Sequence, residues 1–111
     1  MPGIPERGRL ELVIAWSLDE PERVGESARV DEACVLGRGA AERERDRLCF
    51  RRWRPVRSGQ ASPLISPRIS RDQIRLRPLG DRALSFENIG RCKLLLNADE
   101  RGEGEVRPGD T

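Results

Sequence analysis

Histidine is absent from all 111 residues. That removes the commonest general base, the commonest metal ligand and the usual partner of a nucleophilic serine or cysteine. Lysine is nearly absent too: Lys93 is the only one, and the remaining basic residues are arginines. The skew fits a GC-rich coding sequence, because arginine codons are GC-rich. Cysteine is sparse and odd in number. Cys34, Cys49 and Cys92 are widely spaced and form no CxxC pair, so neither a zinc site nor a redox pair is expected. Each lies in or beside an apolar segment and reads as a buried free thiol, which suits a reducing cytoplasm. No apolar run approaches the ~20 residues of a membrane helix. The opening Met1-Pro2-Gly3-Ile4-Pro5-Glu6 lacks the charged-then-apolar layout of a signal peptide. The expected location is the cytoplasm, with no membrane partner.

Charge of one sign is also missing: the formal net charge is +2, which gives the whole chain no bias toward nucleic acid or anionic lipid. What is present is a hydrophobic fraction of 36% beside a charged fraction of 36%. The apolar residues must therefore be concentrated in a few segments of what can be one domain at most. Residues 1–8 hold two prolines and two glycines and read as a flexible lead-in to a domain spanning 9–111. Leu10, Leu12 and Ile14 alternate with Glu11 and Val13, the period of a strand with one buried face. Residues 17–26 suit a connection, 27–31 a second strand, and Ala33-Cys34-Val35-Leu36 a short strand ending at Gly37-Arg38-Gly39-Ala40.

Residues 41–47 alternate acid and base. A short charge-paired helix is one option, but no apolar stripe would dock it, and the segment reads as a solvated loop. Leu48 and Phe50 share a face in a strand over 48–53, and 54–67, with Pro55, Gly59, Pro63 and Pro67, is the longest irregular loop. Ile69, Ile74 and Leu76 belong to a strand-like segment with Arg75 and Arg77 facing outward. Pro78-Leu79-Gly80-Asp81 is a turn, and Leu84 and Phe86 complete a hairpin. Asn88-Ile89-Gly90-Arg91 is a loop, Leu94-Leu95-Leu96 a buried strand ending at Asn97, and 106–111 a closing turn. Many short strands with no convincing helix predict an all-β fold, an antiparallel sandwich or barrel.

Four features can carry chemistry. Gly37-Arg38 follows a strand directly: glycine permits a tight turn, and arginine offers a planar fork of donors suited to phosphate. Ser70-Arg71 sets a hydroxyl beside a guanidinium at the start of the hairpin. The loop 88–93 holds Asn88, Gly90, Arg91 and Lys93, and Arg107-Pro108-Gly109-Asp110-Thr111 is a turn. Each feature taken singly has a plain structural explanation, such as a surface arginine after a turn or a serine capping its own turn.

Their order says more. A strand-ending Gly-Arg comes first, then a long loop and Ser-Arg-x-Gln. A hairpin follows, then Asn-x-Gly, then an apolar triplet closed by asparagine and a late Pro-Gly-Asp. The series resembles the forkhead-associated (FHA) family over about Leu10 to Thr111. It is most similar to the domains at the front of bacterial sigma-54-dependent transcriptional activators, which share an apolar strand ending near Trp16 and the pattern Arg68-Ile69-Ser70-Arg71-x-Gln73. The resemblance implies an FHA/SMAD-like β-sandwich without catalytic residues, cofactor or metal. Its loops would capture a phosphothreonine left on a partner by a Ser/Thr kinase, in bacterial signalling that regulates transcription.

By the same resemblance, Arg38 and Ser70 hold the phosphate and Arg71 assists. Gln73 stands where the family's Ser-x-x-His has its histidine, and with Gly37 and Asn88 it braces the loops. The family's Asn-Gly loop is replaced by Gly90-Arg91-Cys92-Lys93, so Arg91 and Lys93 are the residues that can compensate by adding charge near the phosphate. Family members run on for two more strands after the Gly-Asp turn. The resemblance therefore implies a sandwich lacking its last strands, with a free edge on its N-terminal strand.

Rival functions have weaker support. No paired carboxylates, Gly-x-Ser-x-Gly or phosphate loop with lysine suggests an enzyme. The arginines between Arg43 and Arg57, interleaved with Phe50 and Trp53, could track a nucleic-acid backbone and stack bases. Glu42, Glu44 and Asp46 dilute that charge. A degenerate FHA-like module that binds unmodified protein is the third reading.

Overall fold

The computed structural model describes residues 10–40, 47–52 and 59–111. It is all-β. The strands are β1 (Glu11–Val13), β2 (Ser27–Arg29), β3 (Cys34–Leu36), β4 (Arg51–Arg52), β5 (Gly59–Gln60), β6 (Ile74–Leu79), β7 (Ala83–Asn88), β8 (Leu95–Leu96), β9 (Asp99–Glu100) and β10 (Glu103–Val106). One sheet runs β1-β2-β4-β5, a second runs β10-β7-β6-β3, and β8 and β9 form a separate hairpin. All of these pairings are antiparallel. The only helical element among the described residues is one 3-10 turn, Pro21–Arg23, with proline at its start.

Period-two alternation sets which way each strand faces. In β6, Leu76 is buried while Arg75 and Arg77 are exposed; in β7, Leu84 and Phe86 are buried and Glu87 is exposed. Leu76 stands opposite Phe86 in the β6–β7 register and opposite Cys34 in the β3–β6 register. These side chains meet Ala28 of β2 and Val30, Leu48, Phe50 and Leu64 from the connecting segments in one core. Two sheets sharing one apolar interior make a sandwich. Burial, with the nearby charges of Glu32 and Cys49 adding to it, pushes the Cys34 thiol up to about 11. That keeps it protonated and unreactive at neutral pH. Among the described residues β1 pairs with β2 alone. An apolar groove of about 780 Å³ runs beside β1, lined by Leu12 and Ile14, by Leu94 and Leu96, and by Val106.

The segment between β1 and β2 also buries charge. Arg23 is 3% exposed; its Nε donates to Glu20 at 2.6 Å, its Nη1 to Glu26 at 3.0 Å, and its Nη2 to Ser62 Oγ and the Pro63 carbonyl. Desolvation opposes the charge on Arg23, but hydrogen bonds to the two carboxylates outweigh it and raise its pKa above the ordinary arginine value. Arg52 donates to the other oxygen of Glu26 at 3.0 Å. The cluster ties the 62–63 loop to the segment before β2.

The described elements differ from the sequence expectation mainly at their ends. The strand expected over 10–16 is regular only at Glu11–Val13, and within the described part of the one expected over 48–53 only Arg51–Arg52 is strand, so Leu48 and Phe50 pack from outside it. The turn expected at 78–81 falls instead at 80–82, and Pro78 and Leu79 continue β6. Proline is tolerated there because β3 pairs only with Ile74–Leu76, so the outer edge of β6 is open at Pro78. Ile69 lies in a turn closed by its N–H on the Ser66 carbonyl, not in a strand. Leu95 is exposed rather than buried; Cys49, also expected to be buried, is exposed, and Cys92 is half-buried. Strands β5, β9 and β10 were not expected. The expected lead-in over 1–8, the charged loop apart from Arg47, and Trp53 all lie outside the described residues.

The buried and exposed ion pairs should separate cleanly by mutation. Removing one partner of a buried pair strands the other charges, so Arg23→Met is expected to cost about 3–5 kcal/mol. The Arg75–Glu87 pair is 3.0 Å long with both side chains about half exposed, and Arg75→Ala should cost under ~1 kcal/mol. Urea unfolding of the two variants, followed by far-UV circular dichroism, measures both.

Candidate functional site

Three chain segments meet beyond the end of the β3–β6–β7 sheet: Gly37-Arg38 after β3, Ser70 to Gln73 before β6, and Ile89 to Cys92 after β7. The backbone begins the assembly. Gln73 N–H donates to the Leu36 carbonyl at 3.0 Å and Arg38 N–H to the Ser70 carbonyl at 3.0 Å, and the Gln73 carbonyl accepts from Ile89 N–H and Gly90 N–H. Two flanking strands are thus laced to the segment that enters the central one.

The Gln73 side chain, 5% exposed, completes the lacing. Its Oε1 accepts from Ser70 N–H at 2.8 Å, while Nε2 donates to Asn88 Oδ1 at 2.7 Å and to the Cys92 carbonyl at 3.0 Å. Asn88 supports the same loop from the other side: Nδ2 donates to the Cys92 carbonyl at 2.9 Å and Oδ1 accepts from Gly90 N–H at 3.2 Å. A side-chain amide offers two donors and an acceptor, and Gln73 uses both kinds. The packing leaves no room to spare. A Cβ on Gly90 would lie 2.6 Å from the Gln73 amide, so only glycine lets that loop pass. A Cβ on Gly37 would collide with the Arg71 carbonyl and the Arg47 guanidinium.

Ser70 sits at the centre. Its Oγ accepts from Arg91 N–H at 2.9 Å and lies 3.8 Å from Cys92 Sγ, a contact in which either group can donate. Ser70 is thereby hydrogen-bonded to Arg38 through its carbonyl, to Gln73 through its N–H and to Arg91 through its hydroxyl. Arg38 is half-buried, while Arg71 and Arg91 are exposed. Among the described residues none of these three guanidinium groups has a hydrogen-bond or ion-pair partner. Asp72, the nearest carboxylate in sequence, is paired with Arg47 at 3.0 Å. The result is a serine whose carbonyl and hydroxyl accept from the backbones of Arg38 and Arg91, on loops that carry three arginines with no side-chain partner among the described residues.

Seven of the eight residues singled out in the sequence share this end of the sheet: Gly37, Arg38, Ser70, Arg71, Gln73, Asn88 and Arg91. Lys93 turns toward β9, with its Nζ 3.9 Å from Glu100. The late Pro-Gly-Asp turn has a local task. Asp110 accepts from Arg107 N–H and from Asn97 Nδ2, and these bonds hold its carboxyl below the usual range. Asn97 in turn binds both the N–H and the carbonyl of Thr111. Sequence reasoning missed Arg47, whose Nη1 donates to the Arg71 carbonyl at 2.6 Å. The alternation of acid and base around it carries no mark of a buried arginine. No group of His, Cys, Asp or Glu able to hold a metal occurs among the described residues.

Gln73→Met keeps the length of the side chain and deletes every amide bond. The Ser70 N–H loses its acceptor and Asn88 its donor, at about 1–3 kcal/mol for each buried group left unpaired. The variant should lose roughly 2–4 kcal/mol of stability on that basis, and the Ser70 amide should exchange faster with solvent. Denaturant unfolding together with hydrogen exchange checks both effects.

No family model matches this chain, and neither does any curated protein or solved structure.

Proposed function

We propose that this domain is an FHA-like module that binds phosphothreonine on a partner protein, without catalysis and without a cofactor. The observation that carries the reading is the arrangement of loops around Ser70: a buried amide network holds the backbones of Arg38, Ser70 and Arg91 together, and these loops carry three arginines with no side-chain partner among the described residues. A phosphothreonine brings about −1.5 to −2 charges and three acceptor oxygens at neutral pH. Arginine matches those oxygens with planar, charge-assisted donors. Exposed cations beside a serine are inexpensive to hold in water and gain most when an anion arrives.

The resemblance in motif order supplies the finer content. Arg38 and Ser70 bind the phosphate, Arg71 and Arg91 flank it, and Gly37, Gln73 and Asn88 keep the loops in place. The partner is a substrate of a Ser/Thr kinase in the bacterial cytoplasm, and the setting is a sensory domain that regulates transcription, as in sigma-54-dependent activators. Lys93, engaged with Glu100, is at most peripheral. Cys92 stands where the family's ligand-gripping asparagine is expected, and its side chain faces Ser70 Oγ. That contact favours the second reading, a degenerate module that binds unmodified protein.

Titrating a phosphothreonine peptide library and its unphosphorylated twin, by calorimetry or fluorescence anisotropy, separates the two readings. Phosphate dependence is expected. Arg38→Ala should weaken phosphopeptide binding by roughly tenfold or more, since one charge-assisted hydrogen bond contributes about 1.5–3 kcal/mol. Ser70→Ala should cost somewhat less. Equal binding of the two peptides points to the degenerate module; phosphate-independent binding of single-stranded nucleic acid that falls steeply with salt points to a nucleic-acid domain.

A further inference from the structure

We infer that Arg47 is the positioning residue of the anion site, a role that deepens the phosphate-binding reading above and rests on it. Its side chain is only 9% exposed, an unusual state for arginine. Nη1 donates to the Arg71 carbonyl at 2.6 Å and Nη2 to Asp72 Oδ1 at 3.0 Å. Nε is buried and has no partner among the described residues. The backbone is fixed independently: Arg47 bridges Val35 of β3, and Leu48 N–H donates to the Val35 carbonyl at 2.9 Å. Gly37 is the other half of the arrangement, because a Cβ there would meet both the Arg47 guanidinium and the Arg71 carbonyl.

These contacts do not add up to a device for stability. A buried guanidinium with an orphaned Nε is costly, and its ionic partner Asp72 has a side chain that is 66% exposed, where an ion pair returns little. What the contacts do is orient one peptide. The carbonyl between Arg71 and Asp72 is drawn toward Arg47, so its negative end is occupied and kept from an incoming anion. The same anchor fixes the direction in which Ser70 Oγ and the Arg71 side chain leave the loop. Arg47 need not touch the ligand: it acts through the Arg71 peptide, and its retained charge lies close behind the phosphate-binding groups.

The test uses Arg47→Met, which keeps the stem and deletes the donors, together with Arg47→Lys, Arg71→Ala and the Arg47→Met/Arg71→Ala double variant. Arg47→Met should weaken phosphothreonine-peptide binding roughly tenfold, the loss expected when charge-assisted donors are misplaced. Arg47→Lys should recover part of that, because an ammonium can still reach one of the two acceptors. Arg71→Ala should cost less in the Arg47→Met background than in the native protein, since the two residues act through one peptide. Affinity within about twofold of native for Arg47→Met, or strict additivity with Arg71→Ala, overturns the inference. A ligand-free readout separates this result from failure of the phosphopeptide reading. Hydrogen exchange at the Ser70 and Arg91 amides should quicken in Arg47→Met whether or not the native protein binds phosphopeptide, and unchanged exchange overturns the positioning role. If Arg47→Met does not fold, Arg47→Lys decides by the same exchange measurement, with an intermediate rate expected and a native rate contradicting the assignment.

Discussion

The side-chain amide of Gln73 is the constraint on which the rest of this site depends. Strand ends diverge unless something joins them, because the ladder of backbone hydrogen bonds stops where the strands stop. Here the ladder is continued by one side chain. Gln73 leaves the entry to β6 and bonds to Ser70, Asn88 and the Cys92 carbonyl, so the loop before β6 and the loop after β7 become one unit. Buried amides reward this only when every polar atom is satisfied. Both ends of the Gln73 amide are, and Gly90 supplies the space that makes it possible. The loops that carry Arg38, Arg71 and Arg91 therefore belong to a frame and are not free.

Arginine carries two opposite tasks in this chain, and environment decides which. Arg23 is buried, with both neighbouring carboxylates and a backbone carbonyl around it. Its charge is neutralised at source, and it serves to hold a loop. Arg38, Arg71 and Arg91 have no side-chain partner among the described residues, and they stand on loops that meet at Ser70. A protein that needed only solubility could pair or scatter such groups. Carrying them on loops that meet at one serine concentrates positive charge at one end of the sheet. Arg47 stands between the two cases: its side chain is largely covered, less completely than that of Arg23, and one of its donors is directed at the backbone of the loop before β6.

Much of the fold was legible because period-two alternation survives in the segments that pack. Leu76 and Arg77, or Phe86 and Glu87, announce both the strand and its inner face. The segments that meet at the end of the sheet were legible as an order of motifs, since a Gly-Arg, a Ser-Arg-x-Gln and an Asn-x-Gly each fall where a strand meets a loop. β10 was hidden because its Glu103-Gly104-Glu105 start has no apolar face to alternate. β5, two residues long, lies inside a stretch rich in proline and serine. The continuation of β6 through Pro78 depends on where β3 ends, which is a tertiary fact. The role of Arg47 was equally hidden, because a charged run reads the same whether one of its members is solvated or buried.

The central claim is that one end of the sheet, organised by Gln73, receives a phosphorylated side chain. Amide chemical-shift mapping with a phosphothreonine peptide and its unphosphorylated twin tests it most directly. The account predicts that the phosphopeptide alone moves the Arg38, Ser70, Arg71 and Arg91 amides most, with Leu12 and Leu95 beside the apolar groove unmoved. Shifts centred on that groove or on Arg75 and Arg77 of the outer sheet face, or identical maps for the two peptides, would contradict it.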